Sequence, residues 1–224
     1  MDWIGKDGFG YYADIDRPAE DLIQTAQSLS TSPVADILGR HGAMDYRIKP
    51  VREGMRVVGP AIPVRLPPAD NLMAHQAIAL AHPGDVLVVD TGGNVTNASF
   101  GEIMCTACQK KGIGGIVIDG VIRDIAQLRG MNFPVFARGA CPNACEKDGP
   151  GTINTVISCG GVIVCPGDLI VGDDDGVVVV PKEKIESVIV EAEKLSTKES
   201  ERLQQIERGD LYPAWLGKTL KAKL

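Results

Sequence analysis

An α/β fold with a layered, β-rich core is predicted by three observations. Short apolar runs alternate with helical patterns through residues 85–137, as expected of βα units. After residue 150 the pattern changes to short apolar runs joined by Gly, Pro and Asp turns. A long amphipathic helix then follows Pro181. The expected arrangement is one domain over residues 1–224, with a layered β/β/α core. An N-terminal helical arm (1–50) and a C-terminal helix with its tail (182–224) flank it.

The elements follow in order. Residues 16–45 read as helical: Pro18 stands early, 19–29 is periodic, and a short second helix covers 34–38. Residues 56–66 read as a strand interrupted by Pro60 and Pro63, which suggests an edge or a bend. Asp70 or Asn71 can cap a helix reaching residue 81. Residues 85–90 form a buried strand and 91–94 (Thr-Gly-Gly-Asn) a turn. A helix is expected over 98–111, stopped by Gly112. A strand over 115–119, a short helix over 124–129 and a strand over 132–137 complete the alternating part. Short strands at 152–157, 161–164, 168–171 and 176–180 then read as a β-rich lobe. In the last helix Ile185, Val188, Ile189, Ala192 and Leu195 fall on one stripe. The tail carries Tyr212 and Trp215 without periodicity, as a segment packing on a neighbour would.

Composition narrows the function. The chain has 224 residues, 44% apolar and 23% charged, with a net charge of −6. No dense Lys/Arg block offers itself to nucleic acid. No apolar run approaches the roughly 20 residues of a membrane span. The start, Met1-Asp2-Trp3-Ile4-Gly5-Lys6, lacks the basic-then-apolar order of a signal peptide. A cytoplasmic protein acting on a small molecule is the expectation. Six cysteines suggest no disulfide scaffold. Cys105-x-x-Cys108 and Cys141-Pro-Asn-Ala-Cys145 have metal-like spacing, but the first pair falls inside a helix, so structural thiols are favoured.

The chemistry concentrates in two segments, Phe100-Gly101-Glu102-Ile103-Met104 and Gly120-Val121-Ile122-Arg123-Asp124. Taken alone, Asp124 could be a helix cap. Paired with Glu102, the Arg-Asp dipeptide sets a permanent cation beside two carboxylates, suited to a divalent metal and a small keto acid. Gly101 would let a ligand approach the backbone, and amides at a helix start would hold a carboxylate.

These stretches resemble the RraA-like superfamily, in its metal-dependent branch of 4-hydroxy-4-methyl-2-oxoglutarate / 4-carboxy-4-hydroxy-2-oxoadipate aldolases. Ala69-Asp70-Asn71-Leu72, Asp90-Thr91-Gly92-Gly93, Pro134-Val135-Phe136-Ala137-Arg138-Gly139, Pro166-Gly167-Asp168 and the run from Asp173 to Pro181 extend the match over roughly residues 30–210. The branch is marked by an acid, twenty residues, then Arg-Asp, met here by Glu102, Arg123 and Asp124. The resemblance implies a swivelling-domain, RraA-like fold and a set of roles. Asp124 would be the direct ligand of Mg²⁺ or Mn²⁺. The amides of Gly101, Glu102, Ile103 and Met104 would hold the pyruvyl carboxylate, and Arg123 would bind the 2-oxo oxygen. Glu102 would orient a water on the metal. A glutamate of the C-terminal helix from an adjacent subunit would complete the network. Glu199 is the expected donor and Glu201 its rival.

The implied reaction is retro-aldol cleavage of a 4-hydroxy-2-oxo acid through a pyruvate enolate, giving pyruvate and a second 2-oxo acid, with oxaloacetate decarboxylation beside it. The implied setting is bacterial breakdown of aromatic acids, and the implied assembly a homotrimer or a hexamer built as a dimer of trimers. The alternative from the same superfamily is a non-catalytic regulator that binds a ribonuclease or helicase. A Schiff-base aldolase would need a desolvated lysine, and no predicted strand carries one. Asp173-Asp174-Asp175-Gly176 reads as a turn. Thr91-Gly92-Gly93-Asn94 reads as a turn shaping the pocket floor, and His75 and His82 as packing or capping residues. His41 falls in a loop with no assigned role.

Overall fold

The structure, a computed structural model, describes residues 2–224. The chain runs through β1 (Trp3–Lys6), β2 (Phe9–Tyr12), α1 (Glu20–Ala26), α2 (Thr31–Ile37), β3 (Lys49–Pro50), β4 (Val57–Arg65), α3 (Leu72–Leu80) and β5 (Val86–Asp90). It continues through β6 (Ala98–Phe100), α4 (Glu102–Lys111), β7 (Gly115–Ile122), α5 (Ile125–Gly130), β8 (Val135–Ala140), β9 (Gly151–Ile153), β10 (Ile157–Cys159) and β11 (Val162–Val164). β12 (Leu169–Asp173), β13 (Gly176–Val180), α6 (Ile185–Glu207) and α7 (Leu216–Lys223) complete it.

Side-chain alternation sorts these elements into layers. β4, β5, β7 and β8 are neighbours, with β4, β5, β7 and β8 all parallel in sequence of pairing. Leu87, Val89, Ile116 and Ile118 face one core with Met73, Ala77, Met104 and Leu128 of α3, α4 and α5. Their neighbours Val86, Val88 and Val117 face the opposite core, against Ile157, Ile170, Val177 and Val179. The outward faces of β12 and β13, with Val171, Val178 and Val180, then pack on Ile185, Val188 and Ile189 of α6 and on Val34 of α2. The order is helix, sheet, sheet, helix: the predicted layered core, with the arm and the C-terminal helix on its far side.

Several expectations change. Residues 1–50 hold the two expected helices but begin with a hairpin, β1–β2, whose Asp7-Gly8 turn is the sequence signal for it. Trp3 and Tyr12 meet edge to face across it at 5.2 Å. β4 is an interior strand, not an edge. It pairs with β12 over residues 57–60 and with β5 over 61–65, so Pro60 falls where the partner changes. Of the strands after residue 150, β9 and β12 join β4 and β13 pairs with β12, while β10 and β11 form a two-stranded sheet of their own. Residues 98–100 are strand, not helix, and 216–223 of the tail are helical. Two lysines do lie on short strands, Lys6 and Lys49, both exposed. Among the described residues no helix is long and apolar enough to cross a membrane.

Candidate active site

The twenty-residue spacing is explained by strand pairing. β6 lies parallel to the end of β7, with Phe100 opposite Ile122, and the Arg123 amide donates to the Phe100 carbonyl at 2.9 Å. Each strand then passes directly into a helix, α4 at Glu102 and α5 at Ile125. Gly101 and Arg123-Asp124 are thus adjacent exits at the carboxyl ends of two parallel strands, where α/β sheets bind ligands.

The contact there is tight. A Cβ on Gly101 would come within 2.5 Å of Asp124 Oδ2 and 2.9 Å of Arg123 Cγ. Gly101 itself is extended (φ −152°), so glycine is required by proximity and not by backbone strain. Asp124 takes the left-handed region at φ 58°, which few non-glycine residues adopt and which recurs at functional sites. That turn points its carboxylate back toward α4, where Oδ2 accepts the Glu102 amide at 3.0 Å. Arg123 Nε stands 3.7 Å from the same oxygen, and the two side chains keep 41% and 37% exposure. Both remain open to a ligand.

The start of α4 differs from the expectation in one respect. The helix begins at Glu102, and Cys105 makes its first bond, to the Gly101 carbonyl. The Glu102 amide is engaged by Asp124. Among the described residues the amides of Ile103 and Met104 donate to no acceptor, which leaves two first-turn donors for an anion.

Gly101, Ile103, Met104, Arg123 and Asp124 line a cleft of about 260 Å³ together with Asn71, His75, Cys145 and Lys147, whereas the Glu102 side chain is exposed and is not part of that lining. Asn71 Nδ2 donates to the Ser99 carbonyl at 2.9 Å, but Asn71 Oδ1 and the Ser99 hydroxyl are buried without partners. Such atoms are rare in a folded chain and need an explanation. His75 is exposed on the wall, not packed. Partial burial, then the Lys147 charge, push its imidazole below the ordinary value. The segment bearing Cys145 and Lys147 is carried by Asp70. One carboxylate oxygen accepts the Leu72 amide at 2.9 Å, capping α3, and the other accepts the amides of Asp148 (2.6 Å) and Gly149 (3.0 Å). Of the two candidate caps, Asp70 is the one that acts. Neither His75 nor Lys147 is marked by a local motif, since strand and loop pairing across the fold brings them in.

A family model described as RraA-like: Aldolase/RraA matches residues 31–179. The chain belongs to the RraA-like family. It is 42% identical, over 83% of its length and 89% of the relative's, to a Halalkalibacterium halodurans protein named "Putative 4-hydroxy-4-methyl-2-oxoglutarate aldolase". It is also similar to a solved structure of an uncharacterized protein from Pseudomonas syringae pv. tomato (TM-score 0.80, 28% identity, 88% and 92% of the two chains). Another similar structure is Streptomyces coelicolor RraAS2, described as an unusual member of the RNase ES inhibitor RraA protein family (TM-score 0.74, 28% identity, 87% and 98%). The first relative puts this RraA-like chain with the aldolase branch and supports a lyase.

The RraA-like chain does not assemble every expected residue by itself. Glu199 and Glu201 are exposed on α6, whose buried stripe packs on the layer of α1 and α2, and neither lines the cleft. Thr91 and Gly92 do not form the floor of this cleft. They line a second one with Arg65, Asp90 and Thr152, because β5 ends beside β4, which pairs with β9 on its other edge. Cys105 and Cys108 are buried, and burial drives both thiols upward, Cys108 to about 12. The Asp173–Gly176 segment is the β12–β13 turn. His82 lies just past the end of α3, its amide donating to Asp85 Oδ2 at 2.7 Å.

Among the described residues no group of three His, Cys, Asp or Glu could enclose a metal. The cleft instead offers Asp124, with one carboxylate oxygen engaged by an amide. A single carboxylate suits Mg²⁺, which keeps most of its water and takes one or two protein carboxylates. The residues present therefore fit a divalent ion held chiefly by Asp124.

Proposed function

We propose that this RraA-like chain is a class II aldolase, a lyase requiring Mg²⁺ or Mn²⁺. Its proposed substrates are 4-hydroxy-4-methyl-2-oxoglutarate and 4-carboxy-4-hydroxy-2-oxoadipate, which it cleaves to pyruvate and a second 2-oxo acid. Oxaloacetate decarboxylation, which passes through the same pyruvate enolate, is the proposed side activity. The observation that carries this reading is the convergence of Arg123, Asp124 and two unpaired amides on one cleft.

The roles follow from charge. The amides of Ile103 and Met104 receive the pyruvyl carboxylate. Arg123 donates to the 2-oxo oxygen, where negative charge develops as the C3–C4 bond breaks. A divalent ion held by Asp124 supplies Lewis-acid stabilisation of that charge. Glu102, and Glu199 from an adjacent copy, hold the water that takes the proton leaving the C4 hydroxyl, and a proton delivered to C3 of the enolate completes pyruvate. The Glu199 role requires a homotrimer or a hexamer. No desolvated amine supports a Schiff base, since Lys147, the lysine of the cleft, is exposed.

Pyruvate release measured with Mg²⁺ and then with excess EDTA tests the reading. Activity should vanish with chelator and return with metal, and borohydride should trap no pyruvate adduct. Cleavage that persists in EDTA would overturn it. The likeness to RraAS2 supports a second reading, a ribonuclease regulator. Failure to cleave either substrate in Mg²⁺, together with inhibition of a ribonuclease, would favour it.

A further inference from the structure

The proposed substrates carry a second carboxylate beyond C4, and the groups assigned so far serve only the pyruvyl half. We propose that Lys147 binds this distal carboxylate and sets the enzyme's preference for dicarboxylic over monocarboxylic 4-hydroxy-2-oxo acids. The inference rests on the aldolase reading and deepens it.

Three observations lead to Lys147. First, the cleft has two basic side chains of the Arg/Lys type in its lining, Arg123 and Lys147. Arg123 is assigned to the 2-oxo oxygen and already stands beside Asp124. Lys147 makes no ion pair among the described residues, so no neighbouring carboxylate occupies it. The third basic group, His75, has its pKa lowered by partial burial and by the Lys147 charge, which weakens it as a cation beside Lys147.

Second, the two cations share one cleft. Arg123, Asp124, Cys145 and Lys147 all line it, so one small ligand meets both ends of the charge pattern within a cavity of about 260 Å³. Third, the Lys147 backbone is fixed. The Glu146 amide donates to the Ala69 carbonyl (2.8 Å) and the Glu146 carbonyl accepts the Asn71 amide (3.0 Å). On the other side the Asp148 and Gly149 amides both donate to the buried Asp70 carboxylate. A flexible side chain is thereby anchored at a defined place on the wall, which limits the ordering cost of binding. The adjoining wall carries the unpartnered Asn71 Oδ1 and Ser99 hydroxyl, as a surface built for a polar ligand would.

The test compares two probes on the full chain with Mg²⁺: 4-hydroxy-2-oxoglutarate, and 4-hydroxy-2-oxopentanoate, which has a methyl group in place of the distal carboxylate. The unmodified protein should prefer the dicarboxylate in kcat/KM. Lys147→Met should reduce that preference by roughly 10- to 100-fold, the size of one charge-assisted hydrogen bond. The loss should fall mainly in KM for the dicarboxylate. Lys147→Arg should recover part of it. A preference unchanged in Lys147→Met overturns the assignment, and so does an equal loss on both probes, which marks a structural effect. Exchange of the pyruvate methyl protons with deuterium reads the pyruvyl half separately. An unmodified chain that neither exchanges nor cleaves removes the aldolase reading and Lys147 with it. One that does both, with Lys147→Met keeping the same preference, removes Lys147 alone.

Discussion

The two helical faces of the molecule are finished differently. On the face covered by α1, α2 and α6, apolar side chains interlock and the turn acids are partnered. Asp173 accepts the Thr31 amide and hydroxyl at 2.9 and 2.6 Å, and Asp168 accepts the amides of Cys165 and Lys182 at 2.7 and 3.0 Å. On the face covered by α3, α4 and α5 the core is equally apolar, but its rim breaks local rules. Asp124 sits in a left-handed conformation, Gly101 has no room for a methyl group, and two buried polar atoms lack partners. Departures from local rules gather around Gly101 and Asp124, with isolated ones elsewhere, at Arg40 after α2 and at Asn154.

Substitutions on the two faces should therefore separate activity from stability. The largest effect is expected for Arg123→Ala, with kcat for pyruvate release falling about a thousandfold, the upper range for one group facing developing charge. Its melting temperature should stay near that of the unmodified protein. Near-normal turnover would remove the role given to Arg123. Gly101→Ala comes next. Its added carbon displaces Asp124 or Arg123, so about a hundredfold loss of kcat/KM is expected, a displacement of roughly 1 Å sufficing. Normal kinetics would mean that the contact between the two strand exits relaxes freely.

The opposite face should answer in stability. Ile189→Ala removes a buried anchor of α6 and should cost about 2–5 kcal/mol in denaturant unfolding. Activity per folded molecule should be retained where the assembly is retained. A loss below about 0.5 kcal/mol would show that α6 is only loosely docked. Smallest is Asp173→Ala, which removes the cap of α2 and should cost about 1 kcal/mol by the same measurement, with kinetics unchanged.

Sequence periodicity made the layers legible because strands with both faces buried read as continuous apolar runs. Residues 115–118 and 177–180 are such runs. Pro60 misled, since an interior strand tolerates proline where it changes partners. Ala98, Ser99 and Phe100 read as helix because no strand partner is visible in so short a stretch, and the pairing with β7 decides it. Glu102, Arg123 and Asp124 stood out as a charged set among glycines, and of the three Arg123 and Asp124 line the cleft while Glu102 meets it through its amide bond to Asp124. His75 and Lys147 did not, because their place in the cleft depends on Asp70 reaching across 78 positions to Asp148. Glu199 lies outside what one chain brings to the cleft.

The Asp70 carboxylate has a consequence for how this protein opens. It binds the first turn of α3 and the 146–149 loop with the same two oxygens, so fraying of that turn frees the loop as well. The sheet beneath is held by interior strands and opens only with the whole molecule. Hydrogen exchange of the Asp148 and Gly149 amides should then follow that of Leu72, and run ahead of the β5 and β7 amides. Warming would loosen one wall of the cleft while the fold is still intact, and selectivity would decline before turnover does.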